Sequence, residues 1–261
     1  MLKYFNVESS KIACWVNSSN FGAHKQSLIF IHGSGGDHRL WSLQYAKLHK
    51  QFNIVAFDLP GHGRSKGRGE SDVGNYCLWV RKLLDILYLK NPILVGHSLG
   101  AAITLQYALS YPQKIEGIVL VGGGIKMPVN PSLLEFLKTN PAEVTDLMSK
   151  FSLAKENRPK FFEPLKKSLS QANTDVLYDD LSACNKLDLT HEIGKIAVPA
   201  LVICGVADKM TPPDFSRQIT EGISGAKLCL IEGAGHMVML ERPKEFNAAL
   251  NKFALSISQP V

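Results

Sequence analysis

The stretch Pro92-Ile93-Leu94-Val95-Gly96-His97-Ser98-Leu99-Gly100 decides the fold. Its three aliphatic residues form the short apolar run typical of a parallel strand that is covered on both faces. The next five residues match the pattern G-x-S-x-G, in which glycines two positions either side of a serine permit a sharp strand-to-helix turn. Residues 101–109 have the apolar character of a buried helix whose N-terminal dipole faces the turn. The stretch therefore predicts Ser98 as a nucleophile at the C-terminal edge of a parallel sheet.

The composition is that of a folded α/β protein. The chain has 261 residues, 45% hydrophobic and 20% charged, which suffices for one large domain or a domain with an insertion. No apolar run approaches the roughly 18 residues of a membrane span, and residues 1–6 lack the apolar region of a signal peptide. We therefore expect no membrane span and a cytoplasmic location, where the sequon Asn17-Ser18-Ser19 has no role. Cysteines that are odd in number and never in a C-x-x-C pair predict reduced, buried thiols: Cys14, Cys77, Cys184, Cys204 and Cys229.

The charge pattern excludes several classes of partner. The formal net charge is +6, but the lysines and arginines are scattered as on the wet faces of helices, so we expect no nucleic-acid partner. His38 stands where a dinucleotide loop beginning at Gly33 needs a third glycine. The glycines at 61 and 63 do not open a phosphate-binding P-loop. No histidine–carboxylate cluster has the spacing of metal ligands, so we expect neither a cofactor nor a metal.

A second glycine-rich loop follows the apolar run of residues 28–31. The sequence His32-Gly33-Ser34-Gly35-Gly36 predicts a loop whose backbone N–H groups stabilise a developing oxyanion. We expect the N–H of Ser34 to act together with the N–H of Leu99. His32 is interpreted as a structural histidine that bonds the loop backbone, and the turn residues Asp58, His62 and Arg64 as partners of the backbone and of one another.

The remaining pattern divides the chain into a core and an insertion. Residues 3–16 predict an antiparallel hairpin, and further apolar runs at 54–57, 115–121, 199–204 and 228–231 predict strands. Residues 125–195 carry helical apolar stripes instead, which predicts a helical lid inserted into a core formed by residues 1–124 and 196–261. A lid with an apolar inner surface favours an acyl or aryl group as ligand. Thr211 and Pro212 are interpreted as the start of a later helix.

Two further residues complete a catalytic constellation. Asp208 and His236 each follow a predicted strand, and loops after parallel strands gather at one edge of the sheet. A serine hydroxyl needs an imidazole to take its proton and a carboxylate to fix the imidazole tautomer. We therefore predict the catalytic triad Ser98, Asp208 and His236.

These motifs together resemble the α/β-hydrolase superfamily across nearly the whole chain. The resemblance rests on the loop at 32–35, on Asp58-Leu59-Pro60-Gly61-His62-Gly63-Arg64-Ser65, on the serine turn, and on Asp208 and Gly235-His236. It implies an α/β-hydrolase fold with a mostly parallel eight-stranded sheet, helices on both faces and a helical lid. Some relatives carry the acid after the preceding strand, but Gly122-Gly123-Gly124 offers no carboxylate there, which favours Asp208.

The resemblance narrows the activity without fixing the substrate. Serine in the turn argues against dehalogenases and epoxide hydrolases, which use aspartate. The loop at 32–35 is similar to that of C–C bond hydrolases and enol-lactonases, although Gly36 stands where the former commonly carry proline. We expect a serine hydrolase that acts through an acyl-enzyme on a small to medium acyl or aryl carboxylic ester. The alternatives are hydrolysis of a vinylogous diketone or an enol-lactone, and a ligand-binding protein on a hydrolase scaffold.

Overall fold

The centre of the molecule is an eight-stranded sheet, which a computed structural model describes over residues 1–17 and 25–257. Its strand order is β1-β2-β4-β3-β5-β6-β7-β8. The strands β3 to β8 run parallel, and β2 is antiparallel to its neighbour β4. Strands β1 and β2 form the predicted antiparallel hairpin at the edge of the sheet. Ser18 and Ser19 of the sequon lie outside the described residues. The strands are β1 (Leu2–Val7), β2 (Ser10–Val16), β3 (Ser27–Ile31), β4 (Asn53–Phe57), β5 (Ile93–His97), β6 (Gly117–Val121), β7 (Ala200–Gly205) and β8 (Lys227–Ile231).

Helices cover both faces of this sheet. Alternate residues of the buried strands belong to two separate apolar clusters, because successive side chains of a strand point to opposite faces. One cluster includes the apolar faces of α2, α3 and α8, and the other those of α1 and α10. The helices are α1 (Ser42–Leu48), α2 (Val73–Leu87), α3 (Leu99–Ser110), α4 (Pro131–Thr139), α5 (Pro141–Phe151), α6 (Arg158–Leu169), α7 (Thr174–Lys186), α8 (Pro213–Gly222), α9 (Val238–Glu241) and α10 (Pro243–Ile257). The predicted fold class, a mostly parallel sheet with helices on both faces, is confirmed.

Four of these helices, α4 to α7, lie in the connection between β6 and β7. The connection closes on itself at its base, where Lys126 and Asp188 form an isolated antiparallel bridge and a 3.0 Å ion pair. The Leu189 N–H donates to the Ile125 carbonyl next to them, at 2.9 Å. We call residues 125–195 the helical connection.

The structure departs from the sequence patterns at several points. One of the apolar stripes predicted within residues 125–195 consists of Val144, Leu147, Met148 and Phe151. In α5 only part of it faces inward, because Leu147 and Phe151 are exposed. Cys229 is only half-buried, whereas the other four cysteines are buried as predicted. A 3-10 turn, His38–Trp41, precedes α1 and holds the fully buried Trp41. Among the described residues no helix is both long and apolar enough to cross a bilayer.

Candidate active site

Ser98 occupies a strained turn between β5 and α3. Its φ of 55° and ψ of −116° lie in a region that non-glycine residues rarely adopt. The flanking glycines make this turn possible. A Cβ on Gly96 would overlap the Gly100 carbonyl, and a Cβ on Gly100 would overlap the Ile31 carbonyl of β3. The turn therefore holds the Ser98 side chain at the carboxyl end of the sheet and at the N-terminus of a buried helix.

Asp208 and His236 are in direct contact beside this turn. Asp208 Oδ2 lies 2.8 Å from His236 Nδ1, and both side chains are almost completely buried. The N–H groups of Met210 and Thr211 donate to Asp208 Oδ1 at 2.8 and 2.9 Å. The carboxylate therefore has a fixed orientation, and a hydrogen on His236 Nδ1 faces it. That tautomer leaves His236 Nε2 without a hydrogen.

Ser98 and His236 line the same cavity. Among the described residues no hydrogen bond joins the Ser98 hydroxyl to His236. Catalytic hydrogen bonds are often long in unliganded sites and tighten when substrate binds. The arrangement therefore supplies a hydroxyl, an imidazole and a buried carboxylate around one space.

Thr211 and Gly122 belong to this arrangement although the sequence patterns did not single them out for it. The Thr211 hydroxyl donates to Asp208 Oδ2 at 3.1 Å and lies 3.2 Å from His236 Nδ1. Helix α8 begins at Pro213 with Pro212 as its N-cap, so the predicted start lies within one residue, but the Thr211 side chain does not cap the helix. Gly122 follows β6 with φ +53°, and a Cβ there would come within 3.0 Å of His236 Nδ1. A side chain at position 122 would displace the histidine.

His97 packs against His236 and is part of the wall of the site. Their ring centroids are 4.5 Å apart, and His97 Nε2 donates to the His236 carbonyl at 3.1 Å. Burial, and then the neighbouring His236, hold the pKa of His97 well below its usual value. His97 is therefore neutral and fixes the backbone that carries His236.

In the loop after β3, hydrogen bonds among the described residues occupy the N–H groups of Gly35 and Gly36 but not that of Ser34. The Gly35 N–H donates to Asp180 Oδ2 at 3.0 Å, and the Gly36 N–H donates to the Gly33 carbonyl at 3.0 Å. Within the described parts of the chain the Ser34 N–H has no partner, nor has the N–H of Leu99, the first residue of α3. Ser34 and Ser98 both line the cavity.

Buried histidines hold this loop to its neighbour, the loop after β4. His32 Nε2 accepts from the Leu59 N–H at 3.0 Å, and His32 Nδ1 donates to the Gly33 carbonyl at 2.8 Å. Burial lowers the pKa of His32 to about 4. His32 is thus a neutral backbone partner, as its sequence context suggested. The pairing expected within the second loop was partly wrong, because His62 Nε2 pairs with Asp180 of the helical connection at 2.8 Å.

Asp37, His38 and Asp58 place three possible metal ligands within 4.8 Å of one another. The sequence spacing did not predict this cluster. Its carboxylates already accept several hydrogen bonds. Asp37 binds the Arg39 guanidinium at 2.6 Å, and Asp58 accepts from His38 Nδ1 at 2.7 Å and from the Arg64 N–H at 2.8 Å. These bonds give the cluster a structural role in joining the two loops.

The cavity itself has a volume of about 360 Å³ and lies between the sheet edge and the helical connection. The core contributes polar groups at its floor, including Ser34, Ser98 and His236. The helical connection contributes mainly apolar side chains, among them Met127, Met148, Phe161, Leu165, Leu181 and Cys184. Among the described lining residues, Asp37 is the one carboxylate and Arg39 the one lysine or arginine. They form an ion pair with each other.

A parallel sheet with a serine turn at its carboxyl edge defines the class of protein. A sequence model of the alpha/beta hydrolase family matches residues 28–249. The chain belongs to the alpha/beta hydrolase family.

Individual relatives carry several hydrolase names. The chain is 33% identical to the protein in a structure titled as that of a thermophilic esterase, with 99% of each chain covered and a TM-score of 0.85. It is 27% identical over 274 residues to the 2-hydroxy-6-oxononadienedioate/2-hydroxy-6-oxononatrienedioate hydrolase of Paraburkholderia phymatum, covering 96% of this chain and 94% of that one. The enol-lactonase of Burkholderia xenovorans superposes with a TM-score of 0.90 over 97% of this chain and 100% of that one. At 21% identity this last likeness shows the fold alone.

Proposed function

We propose that this alpha/beta hydrolase is a serine hydrolase that cleaves a carboxylic ester with a small to medium acyl or aryl group. Ser98 is the nucleophile, His236 the general base and acid, and Asp208 the residue that orients the histidine. The backbone N–H groups of Ser34 and Leu99 form the oxyanion hole. One observation carries the proposal: Ser98 in its strained turn shares a cavity with a histidine held 2.8 Å from a buried carboxylate.

Acylation uses each of these groups once. His236 Nε2 removes the hydroxyl proton of Ser98 while Oγ forms a bond to the ester carbonyl carbon. The carbonyl oxygen becomes an oxyanion, which accepts hydrogen bonds from the N–H groups of Ser34 and Leu99. The tetrahedral intermediate then collapses. The bond to the alcohol oxygen breaks, His236 returns the proton to that oxygen, and the acyl-enzyme remains.

Deacylation repeats the sequence with water. His236 Nε2 takes a proton from a water molecule, whose oxygen attacks the acyl carbon and forms a second oxyanion in the same hole. The Ser98 Oγ–carbon bond breaks, the proton returns to Oγ, and the carboxylic acid leaves. Asp208 stays ionised and stabilises the imidazolium in both steps.

The cavity supports a neutral acyl or aryl group as the substrate. Its upper wall is apolar, which favours burial of hydrocarbon. Of the lining residues that the structure describes, Arg39 is the one lysine or arginine, and its side chain is 61% exposed. Its guanidinium already pairs with the Asp37 carboxylate at 2.6 Å. The relative from Paraburkholderia phymatum is named for a dioate, which carries two carboxylates. A second carboxylate of a bound substrate would find no unpaired lysine or arginine in the described part of the lining, and a buried charge without a partner is unfavourable.

We propose that the helical connection, residues 125–195, is a lid over a core formed by residues 1–124 and 196–261. The apolar side chains that it contributes to the cavity support this division. C–C bond hydrolysis of a vinylogous diketone, or enol-lactone hydrolysis, is the second candidate function. The name of the hydrolase relative from Paraburkholderia phymatum favours this candidate over activities outside hydrolysis.

A fluorophosphonate probe and a panel of aryl esters test the proposal. The probe should label the wild-type protein and Ser110→Ala, a control in the exposed end of the same helix, but not Ser98→Ala. Turnover of nitrophenyl esters should fall by about 10⁴-fold or more in Ser98→Ala, because a triad acts as a unit. The kcat/KM for neutral esters with short and medium acyl groups should be higher than the kcat/KM for half-esters of dicarboxylic acids.

Other results would select another function. Faster turnover of a ring-fission diketone or an enol-lactone than of any ester would favour the second candidate. A protein that is labelled but turns over none of these substrates would be a ligand-binding protein on a hydrolase scaffold. A wild-type protein that is neither labelled nor active would refute the serine mechanism.

A further inference from the structure

A fully buried carboxylate, Asp180, joins the helical connection to the core. It lies in α7, far along the chain from its partners, and its side chain has no exposed surface. The Tyr76 hydroxyl donates to Oδ1 at 2.6 Å. His62 Nε2 and the Gly35 N–H donate to Oδ2 at 2.8 and 3.0 Å. One side chain therefore binds three parts of the core: helix α2, the loop after β4 and the loop after β3.

His62 is held in its protonated form by this arrangement. Its Nδ1 faces the Pro60 carbonyl at 3.0 Å, and its Nε2 faces Asp180 at 2.8 Å. Neither acceptor carries a hydrogen, so both ring nitrogens must donate, and only the imidazolium can do so. Burial lowers the pKa of His62, but the charge of Asp180 and the carbonyl of Pro60 outweigh burial and raise it.

The other groups that face His62 do not compete for this role. The ring of His32 lies 4.8 Å away between centroids, and its lowered pKa keeps it neutral. The Tyr76 ring lies 6.4 Å away, and burial raises the pKa of its hydroxyl far above neutral pH. The negative charge of Asp58 also favours the imidazolium. Asp180 and His62 thus form a buried ion pair between the helical connection and the core.

The contact at Gly35 fixes one of two consecutive peptide units in the loop after β3. A peptide unit is planar and trans, so its N–H and carbonyl point in opposite directions. The Gly33 carbonyl accepts from His32 Nδ1 and from the Gly36 N–H, which turns the Ser34 N–H away from both donors. The Gly35 N–H on Asp180 fixes the next peptide unit. Two consecutive units are therefore held, one by the core and one by α7.

The side chains packed around Gly35 also belong to the helical connection. Gly35 has φ +65°, and a Cβ there would lie within 3.3–3.4 Å of Leu169, Ala172 and Leu177, all in the helical connection. The connection thus surrounds the loop with apolar side chains and places a single carboxylate on its backbone. If the loop moved away from α7 it would lose the hydrogen bond at Gly35 and these packing contacts, while Asp180 would keep Tyr76 and His62 as donors.

We propose that Asp180 is a positioning residue: from the helical connection it holds the Ser34–Gly35 peptide, which adjoins the core-held Gly33–Ser34 peptide, and so helps to direct the Ser34 N–H toward the oxyanion. This inference rests on the proposed serine-hydrolase function. It makes the oxyanion hole a joint product of the core and the helical connection, since the core holds the peptide that carries the Ser34 N–H and α7 holds the next one.

The test compares Asp180→Asn with Asp175→Asn, a control that removes an exposed carboxylate from the first turn of the same helix. Rates are normalised to the sites titrated by a fluorophosphonate. We expect kcat of Asp180→Asn to fall by about 10- to 100-fold with KM nearly unchanged, because the lost alignment matters only in the transition state. The Ki of a trifluoromethyl ketone, which forms an oxyanion adduct with the serine, should rise by the factor by which kcat/KM falls.

The pH profile separates positioning from a general structural role. The ion pair between protonated His62 and Asp180 is fully formed at low pH. It is lost as pH rises through the raised pKa of His62. Wild-type kcat should therefore decline on the alkaline side, and Asp180→Asn should move this decline to lower pH, because His62 loses its anionic partner. If Asp180→Asn does not fold, Tyr76→Phe removes one donor to Asp180 and should lower kcat by about 2- to 10-fold, the equivalent of one hydrogen bond.

The outcomes distinguish this inference from the proposed function. If wild type hydrolyses esters and Asp180→Asn matches Asp175→Asn in kcat, inhibitor Ki and pH profile, Asp180 has no positioning role. The positioning role would also be overturned if Asp180→Asn lowered kcat and raised KM by equal factors while the inhibitor Ki stayed unchanged. If wild type itself is neither labelled nor active, the serine-hydrolase proposal fails first.

Discussion

Replacing Asp208 by asparagine tests the triad through a single hydrogen position. Asp208 Oδ1 accepts two backbone N–H groups, from Met210 and Thr211, so the amide oxygen of an asparagine must take that place. Its NH2 group then faces His236 Nδ1, where Oδ2 accepts at 2.8 Å in the native protein. The amide donates to Nδ1, and the hydrogen of the imidazole must move to Nε2. The histidine then presents an N–H to Ser98 and cannot take its proton.

The expected loss is large because the wrong tautomer removes the base altogether. We expect kcat for an aryl ester to fall by about 10⁴-fold, which corresponds to about 5 kcal/mol of transition-state stabilisation. Stability should change little, because both backbone hydrogen bonds to Oδ1 persist. The assay is steady-state hydrolysis of a nitrophenyl ester beside urea unfolding. Asp214→Asn, whose side chain is 84% exposed at the start of α8, is the control. A folded Asp208→Asn protein with kcat within tenfold of wild type would refute the assignment of Asp208.

Two other predictions concern the architecture around the site. Gly100→Ala places a Cβ against the Ile31 carbonyl and should lower the free energy of unfolding by about 1–3 kcal/mol or more in a urea titration. Gly194→Ala is the control and should have little effect, because the nearest atom to its Cβ would be 3.8 Å away. The pKa of buried His32 is lowered from 6.5 to about 4, so the unfolded chain binds the proton first and the free energy of unfolding should fall as pH drops from 6.5 toward 4, by up to about 1.4 kcal/mol per pH unit. Urea unfolding between pH 7 and 5 measures this slope. The slope should be shallower in His32→Asn, and an equal slope in both proteins would contradict the assignment.

Much of the fold followed from local patterns. Short apolar runs predicted the strands, and the glycine spacing around Ser98 predicted the turn that the structure has there. Asp208 and His236 were expected at one sheet edge because parallel strands end together, and they follow β7 and β8. The reason is that strand periodicity and turn chemistry depend on neighbours within a few residues. The catalytic roles of these residues stay predictions.

Patterns were less reliable where a residue has two possible uses. Thr211 before proline is typical of a helix start, yet its hydroxyl binds Asp208 and His236 instead. In α5 the helical stripe predicted four inward residues, but the connection packs on one side only, and Leu147 and Phe151 face solvent. Periodicity reports that a face is apolar, and only the neighbouring elements decide how much of that face is covered.

The sequence by itself determined the strands, the serine turn and the glycines that the turn needs, because sterics and hydrophobic alternation act locally. The tertiary structure alone decided which donors meet the buried carboxylate of Asp180. Asp180 lies 145 positions from Gly35 and 118 from His62, and no local pattern links such distant residues. Their contact exists because the helical connection folds back over the sheet edge, where a buried charge must find its donors among whatever backbone and side chains lie there.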